Sequence, residues 1–494
     1  MIHALVKTGA GAATLVWVAG AAAADVSARQ VWDAWQAGLG ANAFASLTVD
    51  AQEVSDTRVT LTGARLTLDG TEGETTLRFD RLELVSQPDG SVSVTLPGTI
   101  PVAFEGDAGG RMTAEVQQAG QTLRVSGTPD AFRHDLTADR IAMAATEIVD
   151  RTGTPVDGTV RGAFDGLSVA YVPTRGAVTT QRYDLSASTF DLLVDLVDPQ
   201  AEGPVVFSAR LDNPTLNGEA ALPTGFADAD LATALAAGFS VRGEYDYDAS
   251  ASLFDFGSGV DAATGTISTG PGRQSFAFAQ TGLSYDTEIA NARAEIRTSA
   301  LPVPLTMQVA SSTVTLAGPA APTETPEPFA LRYALDGLTL GEEVWALVDP
   351  QGAIPRDPAS LAVDLSGQGR IFEAEESQAN GDAPGVLTSL DVNEVALSLA
   401  GAALDVAGAL TFDPQDAAGA ATVPSPSGTL TVDLTGLNGL IDAVIAAGIV
   451  PQDQAMMSRL MLGMFARPVG DDALRSEIEF APGGGITVNG QRVR

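Results

Sequence analysis

Apolar and polar residues alternate with a period of two over most of this 494-residue chain. Successive side chains of a strand point to opposite faces, so the pattern predicts half-buried strands over most of the length. Glu74–Leu84 illustrates it, with Leu77, Phe79, Leu82 and Leu84 in the apolar slots. From Ser46 to about Val172 the same alternation recurs as Val59/Leu61, Leu66/Leu68, Val92/Val94, Ala114/Val116, Leu123/Val125 and Leu167/Val169. Asp69-Gly70, Asp89-Gly90 and Asp165-Gly166 punctuate these runs and predict tight turns, because Asp-Gly tolerates positive φ. An antiparallel meander with one buried face is expected.

The chemistry the chain can support is narrow. Cysteine is absent, histidine occurs twice, and Lys7 is the only lysine. Lys and Arg total 27 against 62 Asp and Glu, a formal net charge of −35. Such a charge repels phosphate backbones and anionic surfaces, so no nucleic-acid partner is expected. Without cysteine, stability must come from burial and not from staples.

Residues 1–24 read as an export signal. His3 and Lys7 give a weakly basic start, Gly9–Gly20 an apolar stretch, and Ala21–Ala24 the small residues that signal peptidase reads. Cleavage after Ala24 and residence in the periplasm follow as expectations. A retained anchor is the alternative, but the Ala/Gly-diluted core is shorter than the roughly 20 apolar residues a spanning helix needs. No later segment is apolar enough to span a bilayer.

A helix is predicted over Ser27–Gly40, where Ser27 and Gln30 form a capping box and Val31, Trp32, Trp35 and Leu39 an apolar stripe. Two further helices are expected at Thr189–Asp198 and Ala227–Ala237. The sequence Leu-Val-Asp-Pro-Gln occurs at Leu196–Gln200 and again at Leu347–Gln351, each after a helix-like segment. Pro319, Pro322, Pro326 and Pro328 make 319–328 a linker or a long loop. That stretch would divide a β-rich domain over 25–318 from a second over 329–494. Gln378–Pro384 and Asp413–Gly428 read as further loops.

Near the C-terminus the periodicity changes. Leu437, Leu440, Ile441, Val444, Ile445 and Ile449 recur at helical spacing up to Gly448 and Pro451. A second helix, Gln452–Ala466, carries Met456, Met457, Leu460, Met461, Met464 and Phe465, and so holds four of the chain's eight methionines. Methionine is flexible and polarisable, suited to fitting varied apolar shapes. Leu437, Ile441, Val444 and those six residues are therefore the candidate ligand- or partner-binding set. The alternative is that both helices pack on the sheet as a core plug. Beyond Pro468 the chain returns to strands, with a hairpin at Gly483-Gly484-Gly485 and a turn at Asn489-Gly490.

Leu437–Arg494, with the run Met461–Pro468 and the closing Val488–Arg492, resembles the alphaproteobacterial family called domain of unknown function 2125; Val31–Trp35 is similar too. The resemblance implies a bacterial envelope protein and carries over no activity, cofactor or catalytic residue.

Catalytic constellations are not recognisable. His134 lies between Arg133 and Asp135 on strand-like sequence, no Gly-x-Ser-x-Gly elbow occurs, and once the expected signal with Lys7 is removed Schiff-base chemistry lacks a lysine. Zinc would need more His or Cys ligands. Asp246-x-Asp248-x-Ser250 opens like a calcium loop but has Ala251 at the sharp turn. No catalytic residue, metal or cofactor is assigned. The fold expected is mainly β: elongated, twisted antiparallel sheets, in one or two lobes, with a few short helices including the C-terminal pair. The function expected is a non-enzymatic periplasmic binding or scaffold protein for envelope lipids, other apolar ligands or an envelope protein. The alternatives are a periplasmic hydrolase using a carboxylate pair and an outer-membrane-associated β protein.

Overall fold

The computed structural model describes residues 26–40, 45–129, 131–197, 203–226, 229–259, 262–372, 385–413 and 425–493. The expected export signal, the loop Gln378–Pro384 and most of Asp413–Gly428 lie outside them. The fold is mainly β and antiparallel, and the described residues hold five helices. None is long and apolar enough to cross a membrane. The chain divides into two compact units, Met1–Asp228 with Gly243–Thr266 and Ala229–Arg242 with Ile267–Arg494.

Unit one opens with α1 (Ala28–Gly40), capped as its sequence predicts: Ser27 N donates to Gln30 Oε1 at 2.9 Å and Gln30 N to Ser27 Oγ at 3.2 Å. Its strands are β1 (Ala45–Val54), β2 (Arg58–Gly70), β3 (Gly73–Ser86), β4 (Val92–Thr95), β5 (Thr99–Gly106), β6 (Arg111–Ala119), β7 (Thr122–Thr128), β8 (Ala131–Val149) and β9 (Asp157–Thr174). They continue as β10 (Val178–Ser186), β11 (Thr189–Val197), β12 (Val205–Asp212) and β13 (Thr215–Pro223). Val31, Trp32 and Trp35 of α1 are buried with Val59, Leu61, Leu84, Val92, Val125 and Phe132 of the strands. Burying two indoles on one helix face gives this region its main hydrophobic core.

Three expectations are corrected here. Asp165-Gly166 is no turn but lies inside β9, where Gly166 takes φ +60° and a Cβ would meet Ser188 Oγ at 2.5 Å. The break divides β9: residues 157–165 pair with β11, and 168–174 with β10. Asp69-Gly70 closes β2, with Gly70 opposite Gly73, so the turn itself is Thr71-Glu72. Thr189–Val197 is strand β11 and not a helix. Phe190, Leu192, Val194 and Leu196 fall on one face opposite Leu211, Ala209, Phe207 and Val205, so long-range pairing decides an ambiguous apolar run.

The next segment crosses between units. Here α2 (Leu231–Ala236) is shorter than the expected Ala227–Ala237, because Asp230 caps it by accepting from Thr233 N at 2.8 Å. Then come β14 (Ser240–Tyr247), β15 (Ala249–Phe256) and β16 (Ala263–Thr269). The calcium-like Asp246, Asp248 and Ser250 straddle β14 and β15, and no metal-holding acidic or His group occurs among the described residues.

Unit two contains β17 (Gly272–Ala279), β18 (Gly282–Thr298), β19 (Leu305–Gly318), β20 (Glu327–Leu340), α3 (Glu342–Val348), β21 (Ala359–Ile371), β22 (Gly385–Leu399), β23 (Ala402–Phe412) and β24 (Pro426–Thr435). After α4 (Leu437–Ala446) and α5 (Gln452–Phe465) come β25 (Arg467–Gly470), β26 (Ala473–Ala481), β27 (Gly485–Val488) and β28 (Gln491–Arg492). The Pro-rich stretch joins β19 to β20, which pair antiparallel from Ala317↔Ala330 to Met307↔Leu340. It is thus a loop between neighbouring strands of one unit. Pro426–Gly428, expected in a loop, begins β24. The second Leu-Val-Asp-Pro-Gln opens as the last two residues of α3, and its Asp349 is buried, accepting from Ala353 N at 2.9 Å and Ile354 N at 2.8 Å. The first copy opens as the end of strand β11, so the described parts of the two copies differ.

Candidate functional site

From β17 to β26 neighbouring strands of unit two repeatedly place apolar residues opposite one another. Starting from β17, one row runs Phe276, Tyr285, Leu316, Leu331, Leu365, Val392, Gly408, Leu430, Ile478 and Val488, one residue from each of ten paired strands. A second row holds Val314, Tyr333, Val363, Val395, Val406 and Val432. A third holds Leu335, Leu361, Leu397, Leu404, Leu434 and Leu474. Two-residue spacing puts all three rows on one face of the sheet. A register shift between Val392 and Val395 of β22 keeps them there, one extra residue being absorbed without flipping the side chains.

The other face is polar. Asp433 pairs with Arg475 at 2.6 Å, Arg332 with Asp364 at 4.0 Å, and Asn393 donates to Asp364 at 3.0 Å. The Arg475 guanidinium, hydrogen-bonded to Asp433, holds that carboxyl below its usual range.

The apolar face is not a buried core. Of the residues in the three rows, only Val392 is buried, and Leu316, Leu397 and Phe276 are about two-fifths exposed (40%, 38% and 38%). Both clusters of buried hydrophobic side chains found among the described residues lie in unit one. Alternation along single strands was visible in the sequence; what it does not contain is the register that sums these strands into one broad apolar surface.

The Met-rich pair sits beside this sheet. Leu437, Ile441 and Val444 of α4 are half-buried, and α4 lies against β23. The turn before α4 needs Gly436, at φ +68°, where a Cβ would lie 2.1 Å from Gly401 O. Asp472 then holds the helix start, accepting from Asn438 N and Gly439 N, both at 3.0 Å. Partial burial pushes the Asp472 carboxyl up, but those N–H groups and nearby Arg459 outweigh it and leave the group below its ordinary range. Arg459 ties α5 to α4, its guanidinium reaching Asp442 at 2.8 Å and the Asn438 carbonyl at 3.1 Å. Phe465 O at the end of α5 accepts from Ser476 Oγ and Asn489 Nδ2.

On α5 the candidate residues all face outward: Met456, Met457, Leu460, Met461, Met464 and Phe465 are each exposed, Met456 and Met464 at 65%. The residue that anchors the helix underneath is Ala455. The nine candidate positions therefore split into a half-buried α4 set and an exposed α5 set.

His134 is buried on β8. Its Nε2 accepts from Trp35 Nε1 at 3.3 Å, and Tyr171 stands opposite it on β9 with ring centroids 6.0 Å apart. Burial lowers its pKa to about 3, against which the Tyr171 backbone acts only partly. A shallow depression of about 300 Å³ between β23, β24 and β26 is lined by Thr411, Ser427, Thr429 and Phe480, with Glu479 as its one carboxylate.

A family profile described as an uncharacterized protein conserved in bacteria, DUF2125, matches residues 199–486, more than half of the chain. The chain belongs to the DUF2125 family. The matched span takes in the helix pair and, except for Val488, the three rows of the apolar sheet face. No curated protein matches the chain.

Proposed function

We propose that this DUF2125 member is a non-enzymatic, exported binding protein that shelters lipid acyl chains in the periplasm, with the apolar face of unit two as their seat. The observation that carries this reading is the three cross-strand rows, free of charged side chains, mainly aliphatic and mostly half-exposed, which end at Thr287, Ser312 and Ser476. The ladders already pair the backbone groups of these strands, so along the rows the face offers only the hydroxyls of Tyr285, which accepts from Gln274 Nε2 at 3.2 Å, and of Tyr333. An extended peptide lying there would strand its own amides, at about 1–3 kcal/mol for each one left unsatisfied. A hydrocarbon chain has none to strand. Removing apolar area from water on both sides supplies the affinity, at roughly 25 cal/mol per Å². The rows contain no charged side chain, so selection is for an uncharged chain, with any headgroup lying beyond them.

Native mass spectrometry of gently purified protein, with organic extraction of its lipids, tests the proposal. Bound lipid in stoichiometric amount is expected, and a Leu331→Ser/Leu365→Ser variant should retain much less of it. Protein that carries no lipid and takes none from vesicles overturns the reading. Fractionation tests the compartment: release by osmotic shock is expected, and retention in the outer-membrane fraction refutes it.

A further inference from the structure

The exposed face of α5 is too wide and too convex to belong to the sheet surface. Met456, Met457, Leu460, Met461, Met464 and Phe465 cover about half of the helix circumference at 100° per residue. A partner helix packed alongside would take a narrower stripe. Beyond the helix the exposure continues to Val469, 54% exposed.

Charge sets this region apart as sharply as hydrophobicity does. The chain has 62 Asp and Glu residues, yet none occurs between Asp453 and Asp471. The two cations in that window are both engaged, Arg459 with Asp442 at 2.8 Å and Arg467 with Glu477 at 3.7 Å. Elsewhere a net charge of −35 drives the protein away from anionic surfaces. Here repulsion is locally suspended, and unbranched, polarisable side chains are presented on a helix that is itself fixed at Arg459 and Phe465.

We propose that α5 is a membrane-docking helix, which lays its methionine face into the interfacial region of a lipid bilayer. A half-circumference apolar face on an in-plane helix is the geometry such binding requires. Methionine, with three rotatable bonds, adapts to disordered acyl chains without a shaped partner. With no unpaired cation offered, binding rests on apolar burial and does not select anionic headgroups. This proposal does not depend on lipid cargo on the sheet.

Flotation of the full-length protein with large unilamellar vesicles tests it, using phosphatidylcholine alone and phosphatidylcholine mixed with phosphatidylglycerol. Binding to phosphatidylcholine is expected, with no gain from the anionic lipid. Met457→Asp/Met461→Asp/Met464→Asp should lower partitioning by about tenfold or more while leaving the melting temperature unchanged, since these side chains are exposed. A Met461→Trp variant should show blue-shifted emission on vesicles and quenching by brominated acyl chains. Equal partitioning of wild type and triple variant overturns the proposal. So does a wild type that ignores vesicles of both compositions, including one that instead binds a soluble envelope protein through α5. Lipid recovered from the triple variant by native mass spectrometry reports the cargo separately, so either idea can fail alone.

Discussion

Trp35 and His134 show how a residue that invites a catalytic reading comes to serve the core. Trp35 is 2% and His134 3% exposed, and the indole N–H finds its acceptor in the imidazole Nε2. An imidazole that accepts at Nε2 must be neutral there, and burial enforces this by bringing its pKa from 6.5 to about 3. Unfolded chains bind a proton at His134 below pH 6.5 and the folded protein does not until about pH 3. Stability therefore falls as pH drops through that window, by about 1.4 kcal/mol for each unit. Comparing thermal melts of wild type and His134→Gln from pH 7 to pH 4 should show a steeper loss in the wild type; parallel curves would refute the assignment. Trp35→Ala removes a buried indole and strips His134 of its donor, so urea unfolding should report a loss of about 3–5 kcal/mol. Sequence alternation put His134 correctly on a strand between Arg133 and Asp135. That its partner would be an indole nearly a hundred residues earlier in the chain, on a helix, was beyond local pattern.

Helices announced by local chemistry were readable, and elements decided by distant pairing were not. The capping box at Ser27 and Gln30 and the periodicity of α4 and α5 gave those helices nearly to the residue. Thr189–Val197 misled because a short apolar run fits either period, and β9 and β12 on its two sides settle it. The apolar sheet face was half readable: each strand showed its alternation, whereas the rows exist only through register. Gly408 occupies one position of the longest row at φ +155°, where a Cβ would lie 2.1 Å from Thr429 O. Gly408→Val should therefore destabilise by more than about 1 kcal/mol, despite restoring the β-branched residue that Val392 beside it carries. Ala407→Val, on the exposed opposite face, should be close to neutral, and the two melts measured side by side decide the point. For the helix pair, Arg459→Ala should speed amide hydrogen exchange throughout α5 while leaving β26 protected, because the guanidinium is the main polar tie between α4 and α5.

Charge is the property that belongs to the molecule entire. Ion pairs such as Arg65–Asp50 and Arg111–Glu147 have both side chains about half exposed, and pairs of that kind contribute about 0–1 kcal/mol each. Against them stands a formal excess of 35 negative charges that no arrangement of 27 cations can neutralise. Salt weakens both terms, but unequally. Contact pairs keep most of their attraction at short range, whereas repulsion among carboxylates spread along the sheets acts over distances that salt screens well. The Debye length shrinks from about 30 Å at 0.01 M to about 10 Å at 0.1 M. Repulsion therefore loses more than attraction, and the melting temperature should rise between 0.01 and 0.5 M sodium chloride. A fall would mean that the surface pairs outweigh the excess charge. Repeating the melts with sodium sulfate at matched ionic strength separates the two origins of any gain. Screening predicts equal increments from both salts, while strengthened apolar burial predicts a larger one from sulfate.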